Sequence, residues 1–395
     1  MASLKFEELY SVPMTCLRIN RAHPSIPRDW TWLWQVTLMH GLFTVGFCSM
    51  MYNLLAVDMK TGTFSEICTY GIFLVVWVVI TFCYAVILKF TDELTTLIRV
   101  NQEYFDAAAS LPEEDAAVIL EYALRARWVA RVWGGACYIN GFMFPLKALV
   151  LTLYSIYIDD FKLVPLLEGT FPLAIDRIKQ TPAMFSAIAA MHSIYAVYAT
   201  IMYMGFCPLG PIFIINTCAQ LEIMTKEFGL IFNVTPYDDK LVAVKLAALI
   251  KKSQDIYDYV QIINDVFRIY YEVTLKAAAI MIPITLFLIL DSIKQRELCV
   301  EFIMFDITAT LLCYIPCYYS DLLMEKGEAL RLAMYSSGWE NQFDKKARAS
   351  LIILLTVAVR PISISTNFRV VCLDAFAGLC HEAYAIFSLL NAMWE

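Results

Sequence analysis

The sequence predicts an all-α polytopic membrane protein with seven transmembrane helices, a cytoplasmic N-terminus and a helical cytoplasmic anchor region, and three observations carry that expectation. Of 395 residues, 60% are hydrophobic and only 17% charged, against roughly 25% charged in an ordinary soluble domain. Apolar segments near the twenty or so residues that cross a bilayer recur to the end of the chain, with no Gly/Ser- or Pro-rich linker between them. Lys and Arg, finally, are distributed unequally over the connections, as orientation in a membrane requires.

The first thirty residues carry charges every few positions and no apolar core segment, so no cleavable signal peptide is expected and the N-terminus should remain cytoplasmic. Spans are then expected at residues 32–57, 67–88, 133–158, 183–207, 273–290, 298–319 and about 368–393. The apolar run 351–359 is too short to cross and ends at Arg360-Pro361, where proline breaks a helix. With the N-terminus inside, the cytoplasmic segments hold nineteen Lys and Arg and the outer connections six, which is the positive-inside pattern. Seven spans then leave the C-terminus outside, the inverse of a G-protein-coupled receptor. Asn233-Val-Thr235 has the form of a glycosylation sequon but falls in the second cytoplasmic loop, with Pro236 after it, and should be unmodified.

Two polar regions interrupt this pattern. In "CYYSDLLMEKGEALRLAMYSSGWE", residues 317–340, Leu322, Leu323, Leu330 and Met334 face one way at helical spacing and Glu325, Lys326 and Glu328 another. This is an amphipathic helix rather than a span, and its apolar stripe needs cover from lipid, the same chain or another subunit. Residues 222–265 are also too polar for lipid yet contain the stripe Leu241, Val244, Ala248 and Ile256.

Chemistry is sparse. The histidines at 23, 40, 192 and 381 lie far apart, and no phosphate loop, H-E-x-x-H or G-x-S-x-G occurs. An enzyme is not expected, nor a cofactor or metal. The twelve cysteines lie mostly within apolar segments and suggest neither a disulfide framework nor a zinc site. A net charge of -7 leaves no basic stripe for nucleic acid. Within the spans Lys147, His192 and Asp306 are costly in lipid and should face the bundle or water, with Lys147 able to snorkel or to pair with an acid such as Asp306.

The C-terminal third resembles the insect odorant receptors. The resemblance rests on a Cys-containing end of the sixth span, on Ala333, Tyr335 and Trp339 in "LAMYSSGWE", on "FDKKARASLIILL", on "RPI" and on "EAYAIFSLLNAM". It is specific over the last eighty or so residues and covers the rest by topology. His381-Glu382 departs from the Lys or Ser that many members have there.

That resemblance implies a tuning subunit of an odorant-gated cation channel, paired with co-receptor subunits as a heterotetramer in the plasma membrane of an olfactory neuron dendrite. It implies a bundle over 31–207, an anchor from 208–265 and 321–365, spans in 266–320 and a pore-lining segment at 366–395, after the N-terminal segment 1–30. Tyr335 and Trp339 would belong to the subunit anchor. The family's pocket lies in the outer halves of the second, third, fourth and sixth spans, which here offer Phe73, Trp77, Phe144, Lys147, Leu151, Met184, Ile188, Met191, His192, Tyr195, Phe305 and Thr308. An aromatic and methionine-rich lining suits a small volatile odorant with few polar atoms. Glu382, Leu389 and Met393 share one helical face at i, i+7 and i+11 and would line the pore, with Leu389 and Met393 at its constriction. The alternatives are a G-protein-coupled-type receptor or a homomeric, gustatory-like channel.

Overall fold

In the computed structural model, residues 4–58, 64–158, 163–167, 175, 177–179, 181–232, 239–296, 299–341 and 345–394 are described. They form two short helices, α1 (Phe6–Leu9) and α2 (Ser11–Ile19), and then ten more: α3 (Trp30–Asn53), α4 (Phe64–Lys89), α5 (Thr91–Ala108), α6 (Glu113–Tyr157), α7 (Pro182–Phe206), α8 (Leu209–Gly229), α9 (Asp239–Lys294), α10 (Val300–Tyr335), α11 (Lys345–Ala358) and α12 (Leu373–Trp394). Seven helical stretches are long and apolar enough to cross a membrane, and each expected span falls on one of them. Leu38, Val45, Leu149, Val150 and Leu153 point outward and exposed, which a bilayer tolerates and water does not. Asn233 lies outside the described residues.

The N-terminal segment has a role its charges concealed. Phe6, Tyr10, Met14 and Leu17 recur at i, i+4, i+8 and i+11, the spacing of one helical face, and all four are at most 2% exposed. They seat α1 and α2 in the bundle, where Phe6 stacks on Phe105 and Phe213. A buried polar chain fastens the plug. The Tyr10 hydroxyl donates to Asn216 Oδ1 at 3.2 Å, Asn216 Nδ2 donates to Asn101 Oδ1 at 2.9 Å, and Asn101 bonds the Tyr259 hydroxyl. The junction of α1 and α2 at Tyr10 is thereby tied to α5, α8 and α9 through side chains that would each be costly if unpaired.

Three helices continue well beyond a membrane. α9 has 56 residues, about 84 Å at 1.5 Å per residue, nearly three times the ~30 Å hydrocarbon thickness. The amphipathic stretch 317–340 is therefore not a separate helix after the sixth span. It is mostly the second half of α10, which runs unbroken through Pro316 to Tyr335, and Gly338 (φ 84°) turns the chain soon after. Its stripe is covered by the same chain: Leu323, Leu330 and Met334 are buried, and α10 packs most extensively on α8. Glu222 of α8 accepts from Lys326 at 2.8 Å and from the Tyr122 hydroxyl of α6 at 2.6 Å. Tyr335 stays exposed and Trp339 half-buried.

The stripe in 222–265 needs a correction of register. Ile256 belongs to the inward face with Val242, Leu246 and Leu249, whereas Leu241, Val244 and Ala248 are exposed on the other. α11 ends at Ala358, just before Arg360-Pro361. The chain then returns in extended form, gripped by Asn264, whose amide donates to the Ser363 carbonyl at 3.0 Å and whose Oδ1 accepts from the Ser365 amide at 2.8 Å. This return ends in α12, so the last helix begins at Leu373 rather than near 368.

Candidate functional site

Prolines open a space in the middle of the bundle. Pro145 in α6 and Pro316 in α10 have no N–H, which deprives the Gly141 and Leu312 carbonyls of their helical donors. Both Gly141 and Leu312 line a cavity of about 100 Å³ between α4, α6, α7, α9 and α10. That is well above the ~10–15 Å³ that holds one water. Apolar and aromatic groups dominate the wall, with Phe73, Trp133, Phe144, Tyr195 and Phe305 on four helices. None of the lining residues is an Asp, Glu, Lys, Arg or His.

Of the twelve positions expected from the sequence, Phe73, Phe144, Tyr195, Phe305 and Thr308 lie on this wall. Phe73 meets Phe144 edge-to-face at 5.4 Å and Tyr195 at 6.3 Å, and the Tyr195 hydroxyl donates to the Phe73 carbonyl. Tyr195 also stacks on Phe43 at 4.6 Å, possible because Gly46 has no side chain to keep α3 from it.

The other seven are placed elsewhere. Trp77 stacks on Phe47 at 4.0 Å in the seam between α3 and α4. Lys147 and Leu151 border a wider recess of about 1210 Å³ next to the cavity, with Phe144 common to both. Lys147 is half exposed and pairs with the buried carboxylate of Glu301. Asp306 instead accepts from the Thr285 hydroxyl at 2.7 Å. His192 is buried, its Nδ1 without a partner, and is not on the cavity wall, nor are Met184, Ile188 and Met191. His40, which had no assignment from sequence, sits between Tyr198 at 3.3 Å and Thr81 at 3.4 Å.

Sequence reasoning missed Trp133, Cys137, Asn140, Thr200, Tyr203, Thr274, Ala278 and Met281 on the wall. α9 had been left out of the pocket altogether. A usable signal did exist in Pro145 and Pro316, since proline within an apolar span marks where backbone is freed beside a cavity.

The wall belongs to a bundle with seven helices of membrane-crossing length, built around a small and mostly apolar cavity. Over residues 63–384 the sequence matches the family model of the 7tm odorant receptors. The chain belongs to that family. It is a receptor and not an enzyme. Odorant receptor 10a of Drosophila melanogaster is similar at 23% identity, over 97% of this chain and 95% of that one. The receptor's fold is also that of the insect olfactory receptor OR5 from Machilis hrabei. In complex with eugenol that structure matches with TM-score 0.80 at 16% identity, covering 98% of each chain. Without eugenol the TM-score is 0.77 at 16% identity, over 96% of each.

The last helix, α12, presents two faces. Leu379 and Ala383 are buried and Phe387 and Leu390 pack against the core, whereas Glu382, Leu389 and Met393 are exposed, as is Tyr384. Arg369 lies 3.9 Å from Glu382.

Proposed function

We propose that this receptor is the odorant-tuning subunit of a cation channel in the plasma membrane, binding a volatile in the cavity and opening a pore shared with co-receptor subunits. The observation that supports this best is the mostly apolar cavity within the bundle of an odorant receptor. Burial of apolar ligand surface supplies most of the affinity in such a space, and a few polar groups set orientation. The charge asymmetry supports a cytoplasmic N-terminus. Tyr335, Leu241 and Val244, exposed at the basic end of the bundle, support an anchor where subunits meet, with Trp339 at its edge.

The test is expression with and without a family co-receptor in cells blocked for G-protein signalling, with current recorded across an odorant panel. Millisecond currents that need the co-receptor and survive the block are expected. Currents lost on the block would instead favour a G-protein-coupled receptor, and full currents without the co-receptor a homomeric channel.

Filling the cavity gives a more local check. Ala278 is 3% exposed on the wall, so Ala278→Phe should occupy ligand space and raise the odorant concentration required by roughly ten- to a hundredfold. An unchanged dose-response curve at equal surface level would move the site out of this cavity. Phe73→Ala should shift the curve in the same direction through lost contact.

A further inference from the structure

Two polar side chains in the cavity wall have groups without a hydrogen-bond partner among the described residues. Thr274 of α9 is 3% exposed and its hydroxyl has no partner, and Asn140 of α6 has a buried, unpaired Oδ1. A threonine in a helix ordinarily returns its hydroxyl to the carbonyl one turn back. Thr44, Thr69, Thr152, Thr217 and Thr308 all do so here, at 2.8–2.9 Å. Thr274 does not. Four residues beyond Gly141, Pro145 has no N–H for the Gly141 carbonyl, which leaves a second acceptor on a residue that borders the same space. Buried groups of this kind are costly unless a partner arrives.

Resting on the function proposed above, we infer that the ligand of this cavity carries a hydroxyl: an aliphatic alcohol or a phenol. The wall offers an excess of acceptors, at Asn140 Oδ1 and the Gly141 carbonyl, with the Thr274 hydroxyl able to give or to receive. A ketone, aldehyde, ester or ether can only accept, so it leaves the Asn140 oxygen unpaired. A hydroxyl donates to one acceptor and receives from Thr274 with the same atom. An ammonium or carboxylate ligand is excluded differently, because no charged side chain among the described residues lines the space to pair with it.

The experiment titrates three probes of one carbon skeleton, an alkanol, its ketone and its methyl ether, into the full-length receptor in lipid nanodiscs, following thermal shift and tryptophan fluorescence. The alcohol should bind roughly ten- to a hundredfold more tightly than the other two. Asn140→Leu should shrink that preference while leaving ketone affinity in place, Thr274→Val should weaken alcohol and ketone alike, and Thr274→Ser should behave as wild type. A ketone or ether that binds wild-type receptor as well as the alcohol overturns the inference, as does a preference unchanged in Asn140→Leu. The wild-type comparison decides alone if a variant fails to fold. Binding without alcohol preference leaves the odorant-receptor reading standing, whereas failure of every volatile in a broad panel to bind would remove that reading and this one together.

Discussion

Asn216→Leu is expected to destabilise the receptor by about 2–4 kcal/mol and to deplete it from the cell surface. Asn216 is 2% exposed and joins the N-terminal plug to the bundle, accepting from Tyr10 and donating to Asn101. The leucine fits the apolar surroundings but satisfies neither group, and a buried polar atom left without a partner costs about 1–3 kcal/mol. Tyr10→Phe removes only a donor at the end of the chain and should cost about 1 kcal/mol. The double variant Asn101→Leu with Asn216→Leu should lose less than the sum of its singles, since it removes both ends of one bond. The measurement is the unfolding midpoint of detergent-solubilised protein, with surface labelling beside it. Equal effects of Asn216→Leu and Tyr10→Phe would mean that the chain of hydrogen bonds does not hold the plug.

The second large effect is expected at the last helix. Leu389→Ser should give current without odorant, because a ring of apolar side chains stops ions by excluding water, and a hydroxyl at that ring lets water in. Leu389 is 61% exposed and Met393 66% on the face of α12 turned away from the subunit's own core, while Leu390 packs against that core. Leu390→Ser should therefore weaken packing and leave resting current near zero. Glu382→Gln should lower conductance or divalent permeability without moving odorant sensitivity, since a carboxylate in an aqueous vestibule concentrates cations. A leak from Leu390→Ser with silence from Leu389→Ser would assign the pore to the opposite face. Silence from both would place the gate in the co-receptor subunits.

Legibility in the sequence followed the physics of each element. The seven spans could be read because lipid imposes one rule on every residue of a crossing helix, namely length with apolarity. The inward face of α10 could be read from Leu323, Leu330 and Met334 because helical spacing alone puts them together. What lies against them could not. Spacing states that a stripe must be covered, and the cover came from α8, a neighbour in space that periodicity does not name. Ile256 was grouped with the wrong face of α9 for a related reason, since a stripe read over four widely spaced residues drifts in register along a long helix.

The candidate site divided in the same way. Phe73, Phe144, Tyr195, Phe305 and Thr308 were available from family topology, while Trp77, His192 and Met184 have the same chemical character and lie elsewhere. Residue type does not tell a wall from a seam between two helices. Lys147 shows the limit from the electrostatic side. A charge in an apolar segment demanded a partner, but Glu301 rather than Asp306 supplied it, because the choice depends on how α6 and α10 are rotated against each other.

By itself, then, the sequence determined that this is a seven-span helical receptor, which residues are too costly to face lipid, and that residues 222–265 and 317–340 carry polar and apolar faces. These follow from local rules, in which a residue and its near neighbours meet a known solvent. The tertiary structure alone decided that the N-terminal segment is a buried plug, that α9 completes the cavity wall, and that Thr274 and Asn140 have groups beside the cavity without a partner among the described residues. Each depends on which helices meet and at what rotation, and pairings between residues more than a hundred positions apart leave no periodic trace in the chain.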